Sequence, residues 1–264
     1  MIEEKYIART GDLVELVGLR HAYFIFRLTT HGEIQTHRGI IYHDELIGKE
    51  WGSQVKSHLG NPFYIFPASI NNLVLNTKRN TQIIYPKDIG FIIINLGIGP
   101  GCKVIEAGCG SGGLTQALAF FVGGPGHIYS YDVNENALKL AKKNIELIDM
   151  NDRVDFIHHD IQQGFFQRSV DAVFLDLPNP FDYLSQVKTA LKPGGSFGCI
   201  LPTTNQVIIL LKELRKNDFA FIEVCELMLR YYKTEENRLR PTDRMVAHTG
   251  FLIFGRSVSL TNIL

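Results

Sequence analysis

Apolar and polar side chains alternate from Asp12 to Val17, and Tyr23–Leu28 repeats the pattern less cleanly. Breaks at Gly18, His31-Gly32 and Asn61-Pro62 cut this region into short runs. Residues 12–66 therefore predict short strands in a small antiparallel sheet or barrel. Ser69–Thr77 predicts a short helix with Ile70, Leu73 and Val74 on one face, and Thr81–Pro86 a connector.

From Lys87 the rhythm changes to alternating helix and strand. Helices are expected at Asp88–Leu96, Gly112–Phe121, Asn134–Ile148, Phe181–Leu191 and Asn205–Asn217. Between them fall strands at Lys103–Ala107, His127–Asp132, Arg153–Ile157, Asp171–Leu175 and Ser196–Leu201. Phe219–Leu229 and Met245–Phe254 read as two closing strands without a helix between them. Alternation of this kind specifies a parallel sheet covered on both faces, and the helix-free ending adds an antiparallel strand at its edge. The expected division is a small all-β domain over residues 1–80 and an α/β domain over 81–264.

Composition narrows the partners. The 264 residues carry 27 Lys plus Arg against 27 Asp plus Glu, so a uniformly basic coat is excluded and any polyanion must meet a local patch. The apolar stretch around Phe91–Ile98 is too short to cross a bilayer. The opening Met-Ile-Glu-Glu-Lys has no apolar core of a secretory signal, so a cytoplasmic location is expected. Cys102, Cys109, Cys199 and Cys225 are scattered, which argues against a zinc ribbon or a dense disulfide framework.

The first chemical motif is Val104-Ile-Glu-Ala-Gly-Cys-Gly-Ser-Gly-Gly113, at a strand-to-helix junction. Gly108 and Gly110 permit a tight turn and close backbone approach; Gly112 and Gly113 open a helix whose N–H groups face a ligand. The spacing fits both G-x-G-x-G and G-x-G-x-x-G, so the glycines alone do not separate a nicotinamide from S-adenosylmethionine. Asp132, ending the next strand, accepts ribose hydroxyls in either case. Glu106 tilts the balance. A carboxylate is unhelpful beside a pyrophosphate but favours a cofactor carrying an amine and a sulfonium. His158-His159-Asp160 is a poor metal site, because adjacent strand residues point to opposite faces; no metal is expected, and Asp160 is assigned to the cofactor's adenine.

The second motif is Val173-Phe-Leu-Asp-Leu-Pro-Asn-Pro-Phe181, at the carboxyl edge where open α/β sheets place their chemistry. Two prolines stiffen the turn that carries Asp176. The pattern is similar to the Asp/Asn-Pro-Pro-aromatic turns of enzymes that methylate exocyclic nucleobase amines. There a carboxylate or amide receives the amine and a ring stacks on the extruded base.

These motifs resemble those of the tRNA (adenine-58-N1)-methyltransferases. The resemblance runs through Thr36-His-Arg-Gly-Ile40 with His43-Asp-Glu-Leu-Ile-Gly48, Thr81-Gln-Ile-Ile-Tyr-Pro-Lys-Asp88, Glu106–Thr115, Asp176–Pro180 and Arg244-Met-Val-Ala-His-Thr-Gly-Phe251. It implies a Rossmann-like class I methyltransferase sheet behind a small β-domain that binds tRNA, with S-adenosylmethionine as cofactor and a homotetrameric assembly. It implies Asp176 and Tyr85 as the adenine-contacting pair. The cofactor would lie against Glu106, Gly108, Gly110, Ser111, Gly112, Gly113, Leu114, Asp132, Asp160 and Asp176. Substrate contacts would come from Gln82, Tyr85, His37, Arg38, Lys78, Arg79 and His248. The family often has Thr at Cys109, Ala at Gly113, Trp at Phe181 and Tyr at Ile200.

Three other readings compete. A catalytically silent tRNA-binding subunit is disfavoured by the intact glycine turn, Asp132 and Asp176. A nicotinamide oxidoreductase is disfavoured by Glu106 and the Asp-Leu-Pro-Asn-Pro turn. A methyltransferase of a non-nucleic substrate leaves the front β-domain unexplained.

Overall fold

The computed structural model describes residues 6–18 and 22–259. The polar opening Met1–Lys5 and the connection after Gly18 fall outside them. The chain divides into two compact units, residues 1–76 and 77–264.

The first unit holds β1 (Leu13–Gly18), β2 (Ala22–Arg27), β3 (Glu33–Thr36), β4 (Gly39–Tyr42), β5 (Gln54–Lys56), β6 (Pro62–Pro67) and α1 (Ile70–Leu75). Four strands pair antiparallel in the order β2-β1-β6-β5, and β3-β4 forms a separate hairpin. The period-2 pattern sends Val14, Leu16, Phe63 and Ile65 into a core completed by Leu28, Ile41 and Leu46. Glu15 points the other way and is nevertheless buried. Its carboxyl accepts from Asn72 Nδ2 at 2.6 Å and from the N–H and hydroxyl of Ser69, which itself caps α1. A buried acid is tolerable only with such donors. The Thr-His-Arg-Gly motif forms the β3–β4 tip. There Thr36 Oγ1 accepts from Arg38 N, and Ser57 and Asn61 donate to the Arg38 carbonyl.

The second unit opens with α2 (Pro86–Asn95) and continues β7 (Lys103–Ala107), α3 (Gly113–Val122), β8 (His127–Asp132), α4 (Glu135–Leu147), β9 (Val154–His158) and β10 (Val170–Leu175). Then come α5 (Leu184–Ala190), β11 (Leu191–Leu201), α6 (Thr204–Lys216), β12 (Phe219–Cys225), β13 (Tyr232–Lys233), β14 (Arg240–Pro241) and β15 (Phe251–Ser257). Seven strands form one sheet in the order β12-β15-β11-β10-β7-β8-β9. Pairs from β11 to β9 are parallel, whereas β15 runs antiparallel to both β11 and β12. The expected antiparallel strand thus lies one place in from the margin. Ile105, Val173, Leu175, Phe197 and Ile253 share a core with Leu184 and Val187 of α5 and Val207 and Leu210 of α6. On the opposite face, Phe91 of α2 packs on Phe254 at 5.8 Å.

Several boundaries differ from expectation. The last strand starts at Phe251, not Met245, because the side chains of His248 and Thr249 are drawn into non-strand contacts and Gly250 adopts φ +148°. The strand expected from Ser196 begins at Leu191, and Lys192–Gly195 bulges within it as the register jumps from Val170↔Leu191 to Ala172↔Ser196. Pro180–Tyr183 is a 3-10 turn ahead of α5. A 3-10 turn and the short β13–β14 pair occupy the closing segment expected to be helix-free.

Strand order reverses between β7 and β10, which opens a crevice at their carboxyl ends. Asn144, on the inner face of α4 and 5% exposed, braces its rim. Its Nδ2 donates to the carbonyls of Ser111 at 2.8 Å and Lys78 at 3.0 Å. Asn144→Ala should lower unfolding free energy by about 1–3 kcal/mol. Asn144→Asp, which sets a carboxylate against two carbonyls, should cost at least as much. Urea titration of the three proteins checks this, and equal midpoints would contradict it.

Candidate active site

The crevice is built by backbone first. Gly108 N–H donates to the Tyr131 carbonyl and Asp176 N–H to the Ala107 carbonyl, both at 2.9 Å, so the ladder continues past the strand ends. Gly108 sits at φ +89°, and a Cβ there would lie 2.2 Å from the Asp176 carbonyl oxygen. That neighbour is backbone and cannot yield, so only glycine fits. Gly112 has a different reason: its Cβ would press on Ala141 of α4 at 3.0 Å.

Three carboxyl groups meet at this point. Glu106 is 1% exposed, and Oε2 accepts from Thr115 Oγ1 at 2.6 Å and Ser130 Oγ at 2.8 Å. Burial raises its pKa to about 7; the two hydroxyls counter that, and the charges of Asp176 and Asp132 add to it. Asp132 accepts from Gly110 N–H at 3.2 Å and from Asn134 N–H at 2.8 Å. Asp176 is reachable by solvent, yet protein surrounds its carboxyl closely; desolvation, with help from the Asp132 charge, raises its pKa to about 6.

Two cavities share Asp176. The smaller, about 290 Å³, is lined by Glu106, Gly108, Gly110, Ser111, Gly113, Leu114, Asp132 and Asp176, with Cys109 and Leu177. The larger, about 420 Å³, is lined by Gln82, Tyr85, Asp88, Asp176, Ile200 and Pro202, with Val246, His248 and Thr249. Gln82 Nε2 donates to the Tyr85 hydroxyl at 3.1 Å and so steadies the ring.

Most of the residues singled out by sequence therefore converge, but not all. Gly112 is absent from both linings, as its packing role requires. Asp160 is absent too; its Oδ1 caps a 3-10 turn by accepting from Gln162 N–H at 2.9 Å. His158 and His159 diverge, one bonding the Val133 carbonyl and the other the Gly164 carbonyl. Lys78 is held through its carbonyl by Asn144 and Arg79 lies next to it; His37 and Arg38 sit at the β3–β4 tip of the other unit. Among the described residues, no group of three or more His, Cys, Asp or Glu is placed to hold a metal.

Other residues of the site escaped the sequence reading. Thr115 and Ser130 keep Glu106 hydrogen-bonded. Lys87 Nζ donates to Asp88 Oδ1 at 2.7 Å, Thr249 Oγ1 at 2.7 Å and the Leu227 carbonyl at 2.9 Å. Thr249 Oγ1 in turn donates to Asp88 Oδ2 at 2.9 Å. Lys87, Asp88 and Thr249 all lay within quoted motifs, which was the available signal. Glu226, partner of His248, carried none.

The cradle suits a compact cation with a nucleoside attached: glycine backbone, a helix N-terminus, an acid at the end of β8 and a crowded acidic floor. Fold and cavity together define a class I S-adenosylmethionine-dependent methyltransferase. Residues 64–249 match the family model described as tRNA methyltransferase complex GCD14 subunit, and residues 8–55 match TrmI-like N-terminal. The chain belongs to the GCD14 tRNA methyltransferase family. Among curated relatives, the tRNA (adenine(57)-N(1)/adenine(58)-N(1))-methyltransferase TrmI of Methanocaldococcus jannaschii is 32% identical over 78% of this chain and 83% of its own. The tRNA (adenine(58)-N(1))-methyltransferase TrmI of Thermus thermophilus is 30% identical over 88% and 91%. Among solved structures, a SAM-dependent O-methyltransferase from Thermotoga maritima superposes with TM-score 0.89 at 39% identity, covering 97% of both chains. The tRNA (m1A58) methyltransferase TrmI from Aquifex aeolicus gives 0.82 at 32%, covering 96% of this chain and 100% of its own.

Because Glu106 takes up its proton near pH 7, a cationic cofactor meets a weaker floor in acid. Affinity for S-adenosylmethionine should fall as pH drops from 8 to 6, by at most about tenfold per unit for one proton. Glu106→Gln should bind more weakly at pH 8 and lose most of that slope. Calorimetric titration across this range checks both, and a slope unchanged by the substitution would contradict the role of Glu106.

Proposed function

We propose that this chain transfers the methyl group of S-adenosylmethionine to N1 of adenine 58 in the T loop of tRNA. The observation that carries the reading is Asp176, the carboxyl shared by the small acidic cavity and the larger one that holds Tyr85. The small cavity would hold the cofactor, with Asp132 on its ribose and Glu106 toward its cationic end. When bound, the cofactor supplies an electrophilic methyl carbon on a positively charged sulfur. The larger cavity would receive an everted adenine.

Adenine N1 already carries a lone pair, so no general base is required. Asp176 accepts a hydrogen bond from the N6 amine and thereby orients N1. Methylation leaves an adeninium cation, and a fixed carboxylate next to it favours the developing charge. The remaining task is placement of the two reactants in line. Tyr85, half-buried and steadied by Gln82, offers a ring to the base. Position 57, included in the name of the M. jannaschii relative, is the neighbouring candidate target.

With no net charge on the chain, the tRNA backbone has to meet local cations. We assign that contact to His37 and Arg38 of the first unit, the tRNA-binding domain of this reading, and to Lys78, Arg79, Arg230, Arg238 and Arg244 of the second. Lys233 and Arg240 contribute less, since both pair with Asp243. A cytoplasmic homotetramer, in which neighbouring copies pool such patches, completes the reading. No described helix is long and apolar enough to cross a membrane.

The name of the T. maritima structure raises transfer to oxygen on another substrate as the second reading. Incubation with unmodified tRNA and labelled cofactor, followed by nucleoside mapping, separates the two. The expected product is 1-methyladenosine at position 58; label absent from tRNA would contradict the proposal. Asp176→Ala should lower turnover by about 10²–10³ and change affinity for S-adenosylhomocysteine only a few-fold. Unchanged turnover would remove Asp176 from the reaction.

A further inference from the structure

The wall of the larger cavity is closed by an unusual arrangement of His248. Its Nδ1 lies 2.6 Å from Glu226 Oε1 and its Nε2 lies 3.0 Å from the Pro202 carbonyl oxygen. A carbonyl and a carboxylate both accept, so the ring satisfies both only by donating from both nitrogens, which makes it an imidazolium. The three partners come from three places in the fold. Pro202 follows β11, Glu226 follows β12, and His248 precedes β15. The ring also packs on Phe251 at 4.9 Å.

The neighbouring charges are consistent with that state. The Glu226 carboxyl, then the Pro202 carbonyl, raise the His248 pKa, and Lys87 opposes them. Lys87 is itself engaged with Asp88, so its repulsion is compensated on the spot. Asp176 lines the same cavity as His248. Lys87 meanwhile grips Leu227 and Thr249, the residues immediately after Glu226 and His248. Two basic side chains therefore pin the same pair of strand-free segments, Lys87 from the start of α2 and His248 through a ring that titrates.

We propose that His248 is a positioning residue that acts as a cation, holding Pro202, Glu226 and its own segment as the fixed wall of the substrate cavity, and that loss of its proton loosens that wall. It does not touch the reacting atoms, since both ring nitrogens are spent on protein. The inference rests on the proposed methylation of tRNA, and predicts that KM for tRNA depends on this proton while kcat and cofactor affinity do not.

The test joins nitrogen-15 NMR of the histidine rings with steady-state kinetics on tRNA between pH 6 and 9. In the wild type, both ring nitrogens of His248 should carry protons at pH 7, and KM for tRNA should rise on the order of tenfold above the midpoint of its titration, the equivalent of one lost charge-assisted contact. Glu226→Gln keeps an acceptor but removes the charge. It should move both the NMR midpoint and the KM rise down by roughly one pH unit. His248→Asn should raise KM at every pH and abolish the pH dependence, with an unchanged thermal midpoint reporting an intact fold. A neutral His248 at pH 7, or a KM rise at the same pH in wild type and Glu226→Gln, overturns the inference. The two readings fail separately: a wild type that leaves tRNA unmethylated contradicts the proposed function, whereas one that methylates tRNA with a neutral His248 contradicts this one.

Discussion

Glu106, Asp132 and Asp176 are brought together by the fold, and the crowding of acids at one buried strand edge is the constraint on which the site depends. Each ends or follows a parallel strand, and the reversal of strand order brings β7 and β10 side by side. Gly108 then lets the Asp176 backbone come within a distance that any Cβ would forbid. The result is an acidic floor in which burial first, and the Asp132 charge after it, makes Glu106 and Asp176 harder to ionise. A cation relieves that cost in a way that a phosphate cannot, and this separates the site from the dinucleotide crevices built on similar glycine turns.

The remainder of the site keeps that floor in place. Thr115 and Ser130 hold Glu106 from two elements, and Gly110 and Asn134 hold Asp132 through backbone N–H groups. Asn144 fixes the loop rim to α4. On the far side of Asp176, Ile200 of β11 and Asp88 of α2 share the wall with Val246, His248 and Thr249. Side-chain bonds from Lys87, Asp88 and Glu226 hold the His248–Thr249 segment there.

Much of this was legible in sequence. Strands Lys103–Ala107 and His127–Asp132 match their expected bounds, because Gly108 directly follows the first and the capping Asn134 lies one residue beyond the second. Asp176 stood out because two prolines, Pro178 and Pro180, follow it closely and stiffen its turn. The misreadings have one physical origin: they depend on partners distant in the chain. Met245–Gly250 looks like strand until Lys87 and Glu226 claim its side chains. Lys192–Gly195 separates the expected helix from the expected strand, but pairing with β10 at Leu191 and Ser196 draws it into β11 as a bulge. Asn144 sits among apolar positions of α4, where periodicity predicts only core.

The most direct test is a crystal structure of the complex with S-adenosylhomocysteine and a T-loop RNA. The account predicts the spent cofactor in the small cavity with its ribose on Asp132. It places adenine 58 everted into the larger cavity, with an Asp176 oxygen within hydrogen-bond reach of N6 and N1 directed at the sulfur. A purine bound with N6 away from Asp176, or a cofactor lying outside the cavity that contains Glu106, would contradict it.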